Sequence, residues 1–159
     1  MFAVPENTVA PAEDSWQSHP VRLAMRIAAE PLRWRHLLRY DPNHRNAVLI
    51  SHDHARQAWL LTWLPGQRAP MHDHGETAGA FTLVHGALSE SVVRNRASHE
   101  TLRSPHMLRA GQSRVFGPGY VHALANEGHI PAVSVHVYPV LARGPRPYGQ
   151  DPCEGLPHW

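Results

Sequence analysis

Between Pro20 and about Tyr40, the hydrophobic positions Val21, Leu23, Met25, Ile27 and Ala28 precede Pro31, and Leu32, Trp34, Leu37 and Leu38 follow it. That spacing predicts two short helices broken at Glu30-Pro31, because proline cannot continue an interior helical hydrogen bond. After Asp41-Pro42-Asn43 the pattern changes to short β-like runs near 45–51, 56–64, 68–73, 79–85, 87–94, 101–108, 113–116, 121–125 and 131–139. Turn signals separate or punctuate them at Pro65-Gly66, Gly86, Ser104-Pro105, Ala110-Gly111, Gly117-Pro118-Gly119 and Glu127-Gly128. Many short strands with almost no helix between them predict a mainly antiparallel β-sandwich or barrel, preceded by small helices.

The two ends read differently. Residues 1–19 are rich in Pro, Glu, Asp and Ser and suggest an arm lying on the domain; residues 141–159 are rich in Pro and Gly and suggest a tail around its outside. The 159 residues are therefore expected to form one domain: arm 1–19, helices 20–40, barrel 45–140 and tail 141–159. A chain of this size needs neither disulfides nor a structural metal to hold its core, so a metal site in it is free to be catalytic.

Charge and cysteine content narrow the chemistry. All 15 basic residues are arginines, against 13 acidic ones, for a net charge of +2. That balance calls for neither a nucleic-acid nor a membrane partner. The absence of lysine excludes a Walker-type phosphate lysine and a lysine Schiff base. A single cysteine, Cys153, excludes an internal disulfide and a CxxC redox pair. The longest apolar stretch, Ala58 to Leu64 with Thr62 inside it, falls far short of the ~18 residues of a membrane span. The first residues lack a basic segment followed by an apolar core, so a cytoplasmic monomer is expected.

Histidine is the outlier, with 14 copies. His72 and His74 stand at i and i+2 on a predicted strand and present two imidazoles to one face. They follow Gly66 and precede Gly86. A second segment runs Gly111, Gly117-Pro118-Gly119, His122 and Asn126, and would supply a third imidazole from a neighbouring strand. These two segments resemble the paired motifs of the cupin superfamily. The first is Gly, five residues, His-x-His, three or four residues, an acidic residue, six residues, Gly. The second is Gly, five residues, Pro-x-Gly, two residues, His, three residues, Asn. The acidic position falls on Ala78 or Gly79, and Gly117 replaces the proline. Three neutral ligands leave a divalent metal its full charge and open positions, which favours an anionic substrate such as a thiolate. Glu76, two residues after His74, could restore a carboxylate by pointing the same way, but a turn after His74-Gly75 is expected to carry it away.

The run His72 to Phe81, with Gly86-Ala87-Leu88-Ser89-Glu90, Trp63-Leu64-Pro65-Gly66-Gln67 and His122-Ala123-Leu124-Ala125-Asn126, is similar to the bacterial cysteine dioxygenases over roughly residues 20–140. The resemblance implies a double-stranded β-helix barrel holding Fe(II) on His72, His74 and His122. It also implies insertion of both atoms of dioxygen into a cysteine thiolate, giving cysteine sulfinate. Ser134, His136 and Tyr138 alternate along one predicted strand and share a face; they match the family's Ser-His-Tyr relay. Arg45 matches its substrate-carboxylate arginine, and a guanidinium suits bidentate carboxylate binding. The implied substrate contacts are Arg45 and Tyr138. Animal members carry a cysteine, crosslinked to the relay tyrosine, where this chain has Gly79. Asn43 stands where many members have a tyrosine.

Other readings are plainer. His52-Asp53-His54 repeats the tripeptide without its glycine frame and is expected at an exposed hairpin tip. His36, His44, His85, His99, His106, His129 and His158 read as surface or packing residues, and Trp59 and Trp63 as core or pocket wall. The alternative functions are a dioxygenase of 3-mercaptopropionate or another small thiol, a metal dioxygenase of an enol, and a non-catalytic metal-binding cupin.

Overall fold

A computed structural model of the protein describes residues 19–96, 99–102, 104–140 and 146–147; the expected arm and most of the expected tail, including Cys153 and His158, lie outside the described residues. Helix α1, Pro20–Ala28, starts where expected: Pro20 occupies its first turn and the His19 ring accepts from the Val21 N–H. The second predicted helix is instead two 3₁₀ turns, Pro31–Arg33 and Arg35–Leu37. Between them Trp34 folds back, and its indole N–H donates to the Ile27 carbonyl at 3.0 Å. That carbonyl also accepts from the Glu30 N–H, so the indole adds a second donor at the end of α1 and pins Trp34 back onto the helix.

The strands are β1 Asn46–His52, β2 Arg56–Trp63, β3 Arg68–Asp73, β4 Gly79–His85, β5 Ala87–Arg96, β6 His99–Leu102, β7 His106–Arg109, β8 Ser113–Phe116, β9 Val121–Ala125, β10 Ala132–Pro139 and β11 Arg146–Pro147. The strand expected at 101–108 is two strands: β6 pairs with the end of β5 and β7 with its beginning. The Ser104-Pro105 segment between them supplies the break, since proline cannot donate to a ladder. One sheet has the order β1-β2-β10-β4-β8; the other runs β11-β3-β9-β5-β6, with β7 also on β5. All pairings are antiparallel, as predicted.

Leu61, Trp63, Phe81, Leu83, Leu88, Phe116 and Leu124 form one core cluster, together with Tyr138. A second cluster joins Ala24 and Ile27 of α1 to Ala58, Leu60, Val133, Val135 and Val137. Strand β10 serves both. Its odd positions pack under the helix, and its even positions, Ser134, His136 and Tyr138, face the other way and are also buried. A central strand covered on both faces holds its side chains in fixed rotamers, which suits a hydrogen-bonded relay.

Two glycines are sterically required. At Gly86 φ is +73°, and a Cβ would lie 2.6 Å from the Pro131 carbonyl oxygen. At Gly79 a Cβ would lie 2.6 Å from the Phe116 ring, so that ring fills the space a larger residue would take.

Candidate metal centre

A β-bulge in β3 places the first two candidate ligands. The β3–β9 register shifts between Ala69 and His72, so both of these side chains turn inward. Pro70 lies inside the bulge, a position tolerant of a missing N–H, and its carbonyl oxygen is 2.7 Å from His72 Nδ1. A carbonyl only accepts, so Nδ1 carries the proton and Nε2 keeps its lone pair. His74 follows β3 directly and faces the same way two residues on. Gly75 and Thr77 then turn the chain, with the Thr77 hydroxyl donating to the His74 carbonyl at 2.6 Å. Glu76 is carried out to the exposed surface, as expected.

His122 stands directly opposite His72 across the β3–β9 ladder. All three imidazoles are buried, and one ligand atom from each lies within 4.8 Å of the others. His74 Nε2 and His122 Nε2 are 3.3 Å apart. Burial, followed by repulsion from His122, lowers the pKa of His72 to about 4; burial, followed by His72 and His122, lowers that of His74 to about 3. Neutral imidazoles with converging lone pairs are the donor set a first-row divalent metal requires. The three-histidine group therefore fits a metal ion.

Behind His122 lies a carboxylate that sequence reasoning gave no role. Glu90 Oε1 accepts from His122 Nδ1 at 2.9 Å and from the Tyr120 hydroxyl at 3.1 Å, while Oε2 accepts from Arg114 Nε at 2.5 Å. Burial alone would push this carboxyl up, but the His122 hydrogen bond and the Arg114 charge outweigh it and hold Glu90 below the usual carboxylate range. A signal did exist: Glu90 shares the predicted strand face of Leu88, which places an acid on a core-facing position.

The even face of β10 forms a chain of contacts. Ser134 Oγ is 2.9 Å from His136 Nε2, and His136 Nδ1 is 2.9 Å from the Tyr138 hydroxyl. The structure adds Trp63, whose indole N–H donates to Ser134 Oγ at 2.9 Å. Burial pushes the His136 pKa well down and that of the Tyr138 phenol well up, so both are neutral at pH 7. This chain of contacts borders the histidines: the Tyr138 ring stacks 5.2 Å from that of His74, and Phe116 stacks on the same imidazole at 4.4 Å.

Arg45 immediately precedes β1 and is not part of it. Its guanidinium lies over the Trp63 ring, 4.7 Å from the centroid. Burial lowers its pKa, and the neighbouring Tyr138 phenol acts in the opposite direction. Among the described residues no carboxylate pairs with it. Asn43 sits in an exposed turn, where its N–H donates to Asp41. Asn126 is structural: its amide donates to the Trp63 and Ile130 carbonyls at 2.9 Å each and ties the end of β9 to that of β2.

The plainer expectations hold where the described residues reach. His52, Asp53 and His54 form an exposed turn in which Asp53 Oδ1 accepts from the Ala55 and Arg56 N–H groups. His36, His44, His85, His106 and His129 are exposed. Trp63 is core, with Trp59 packed against the same cluster. No helix among the described residues is long and apolar enough to cross a membrane.

Solved structures match this architecture. An oxalate oxidase superposes with a TM-score of 0.57 at 19% identity, covering 68% of this chain, and the match spans 57% of that enzyme. A cupin superfamily protein of Desulfitobacterium hafniense gives 0.54 at 12% identity, covering 69% of this chain and 90% of that one. A Klebsiella pneumoniae protein with a double-stranded β-helix domain gives 0.51 at 21% identity, over 66% and 84%. These likenesses establish the cupin fold. The cysteine dioxygenase type I model matches residues 14–145. That match takes in all of α1 and β1 to β10 together with both histidine motifs, and the chain belongs to the cysteine dioxygenase type I family.

Proposed function

We propose that the protein is an Fe(II)-dependent thiol dioxygenase that converts L-cysteine and dioxygen to cysteine sulfinate. The observation that carries this reading is the meeting of three ligand-competent imidazoles, within 4.8 Å of one another, with a buried relay tyrosine stacked on one of them. In this reading His72, His74 and His122 hold the iron, which when bound supplies open positions where a thiolate and dioxygen can be brought together. The overall reaction, RSH + O₂ → RSO₂H, balances without an external reductant: sulfur loses the four electrons that dioxygen gains.

The chain's own residues bind and orient. Arg45, half-buried and, among the described residues, without a carboxylate partner, is suited to receive the substrate carboxylate through paired hydrogen bonds. Tyr138 acts beside it. Trp63 can only donate, so the Ser134 hydroxyl proton is left for His136 Nε2. His136 Nδ1 then keeps its proton and donates to the Tyr138 oxygen. The phenolic O–H of Tyr138 is thereby left free to donate to the substrate carboxylate. Burial keeps that proton in place across the physiological range.

Oxygen uptake by the anaerobically iron-loaded protein on addition of L-cysteine, with the product resolved by mass, tests the reading. A gain of two oxygen atoms on cysteine is expected. Iron binding without uptake would overturn it in favour of a binding role, and a strong preference for 3-mercaptopropionate would reject cysteine while keeping the chemistry.

A further inference from the structure

Glu90 is the only carboxylate among the described residues that is buried, with no exposed side-chain area. A carboxylate in that position is costly unless each oxygen is engaged, and here both are. Their three donors come from different strands or loops: Arg114 on β8, Tyr120 just before β9 and His122 on β9. Arg114 also borders an outward cavity of about 530 Å³ together with Val92, Pro105 and His106, and its side chain is 29% exposed. Glu90 lines the inner side of that cavity with no exposed side-chain area, so solvent reaches the pair from the Arg114 end.

Among the described residues, the two other candidate ligands have no carboxylate hydrogen-bonded to them. His72 Nδ1 meets the neutral Pro70 carbonyl, and the His74 ring lies against Phe116 and Tyr138. Among the described residues, only His122 has a carboxylate hydrogen-bonded to its Nδ1; Asp73 acts on His72 through space alone. A carboxylate accepting from Nδ1 fixes the Nε2 lone-pair tautomer and makes the ring a stronger donor. The motif position that would place an acid among the ligands is occupied by Ala78 or Gly79.

The geometry points to Glu90 as a positioning residue for the metal centre: it locks His122 in its ligating tautomer and supplies, one hydrogen bond further out, the negative charge that the all-imidazole ligand set lacks. Arg114 is its counter-charge, balancing Glu90 when the histidines hold no cation. This inference rests on the reading of His72, His74 and His122 as metal ligands and deepens it.

The electrostatic role predicts opposite effects for two variants. Glu90→Gln should weaken binding of cobalt(II), measured by chelator competition, by about 10- to 100-fold and shift its visible absorption bands. Arg114→Met keeps the carboxylate and removes its counter-charge, so it should bind cobalt(II) at least as tightly as the wild type. A purely structural role predicts instead that both variants lose metal affinity in step with thermal stability. Wild-type affinity and absorption in Glu90→Gln would overturn the inference, as would weakened binding in Arg114→Met, which stands as a test even if Glu90→Gln fails to fold. The two readings fail separately. A wild-type protein that binds cobalt(II), shows the Glu90→Gln loss and, loaded with iron(II), oxidises no thiol overturns the dioxygenase reading alone. Thiol oxidation with unchanged metal affinity in Glu90→Gln overturns only the role of Glu90.

Discussion

The indole N–H of Trp63 donates to Ser134 Oγ at 2.9 Å, joining the end of β2 to the middle of β10. An indole nitrogen cannot accept, so this one contact gives direction to everything beyond it: serine to histidine, histidine to tyrosine. Replacing Trp63 by Phe keeps an aromatic ring beneath Arg45 but frees the Ser134 hydroxyl to rotate and accept from His136 Nε2, so that Nδ1 loses its proton and Tyr138 spends its own O–H on the imidazole. We expect a fall in kcat with metal content unchanged. Steady-state kinetics on iron-quantified protein checks it, and an unaltered kcat would show that the relay's polarity does not matter.

Tyr138→Phe removes the hydroxyl and retains the ring stacked on His74. The expected result is normal iron content with turnover reduced about 10- to 100-fold, the scale of losing one well-placed donor to a charged group. Loss of iron together with activity would reassign Tyr138 to the metal group's structure.

Arg45→Gln should raise KM for L-cysteine by about 10- to 100-fold, the equivalent of roughly 1.5–3 kcal/mol for a hydrogen bond to a charged group. Cysteamine, a thiol with the amine but no carboxylate, should be handled alike by variant and wild type. Equal penalties on both thiols would mean that Arg45 supports the Trp63 packing and makes no contact with the carboxylate.

His122→Ala should abolish both iron binding and sulfinate formation, since it removes one of three converging ligands and leaves Glu90 with only Arg114 and Tyr120 as partners. Sulfinate production retained by this variant would refute the metal assignment.

The metal-free protein should lose stability in acid partly through His136. Burial depresses its folded-state pKa well below 6.5, so below that value the unfolded chain binds a proton that the folded one does not. Its contribution is fully present above about pH 7 and falls as pH drops below 6.5, by about 1.4 kcal/mol per pH unit. Denaturant titrations between pH 7 and 5 should therefore show a shallower acid loss in His136→Gln than in the wild type. Parallel pH profiles would count against a neutral buried imidazole.

The two histidine motifs were readable in the chain because their logic is local: i and i+2 on a strand share a face, and glycines mark the turns around them. The relay was readable for the same reason along β10. Contacts set by register were not. Glu90 meets His122 only because Val92 pairs with His122 and Glu90 lies two residues back on the same face. Trp63 reaches Ser134 across a β2–β10 ladder whose alignment no local pattern specifies. The predicted strand over 101–108 spans Ser104-Pro105, a turn signal in its own right, and the structure divides it there into β6 and β7. The second helix is two 3₁₀ turns, with the Trp34 indole pinned back onto the Ile27 carbonyl by a contact that no local pattern specifies.

His72 and His122 face each other within a hydrogen-bonded ladder, so two of the three candidate ligands are positioned by backbone pairing before any ion arrives. A cavity assembled this way gains little discrimination from folding around its occupant. Three imidazoles accept zinc, copper, nickel and iron alike, and intrinsic affinity runs toward copper and away from iron. Metallation then follows supply: the ion present in excess when the chain folds is the one it carries. Protein prepared in zinc-rich medium should emerge well folded, stoichiometrically filled and inert, and gain activity only after exchange under reducing conditions.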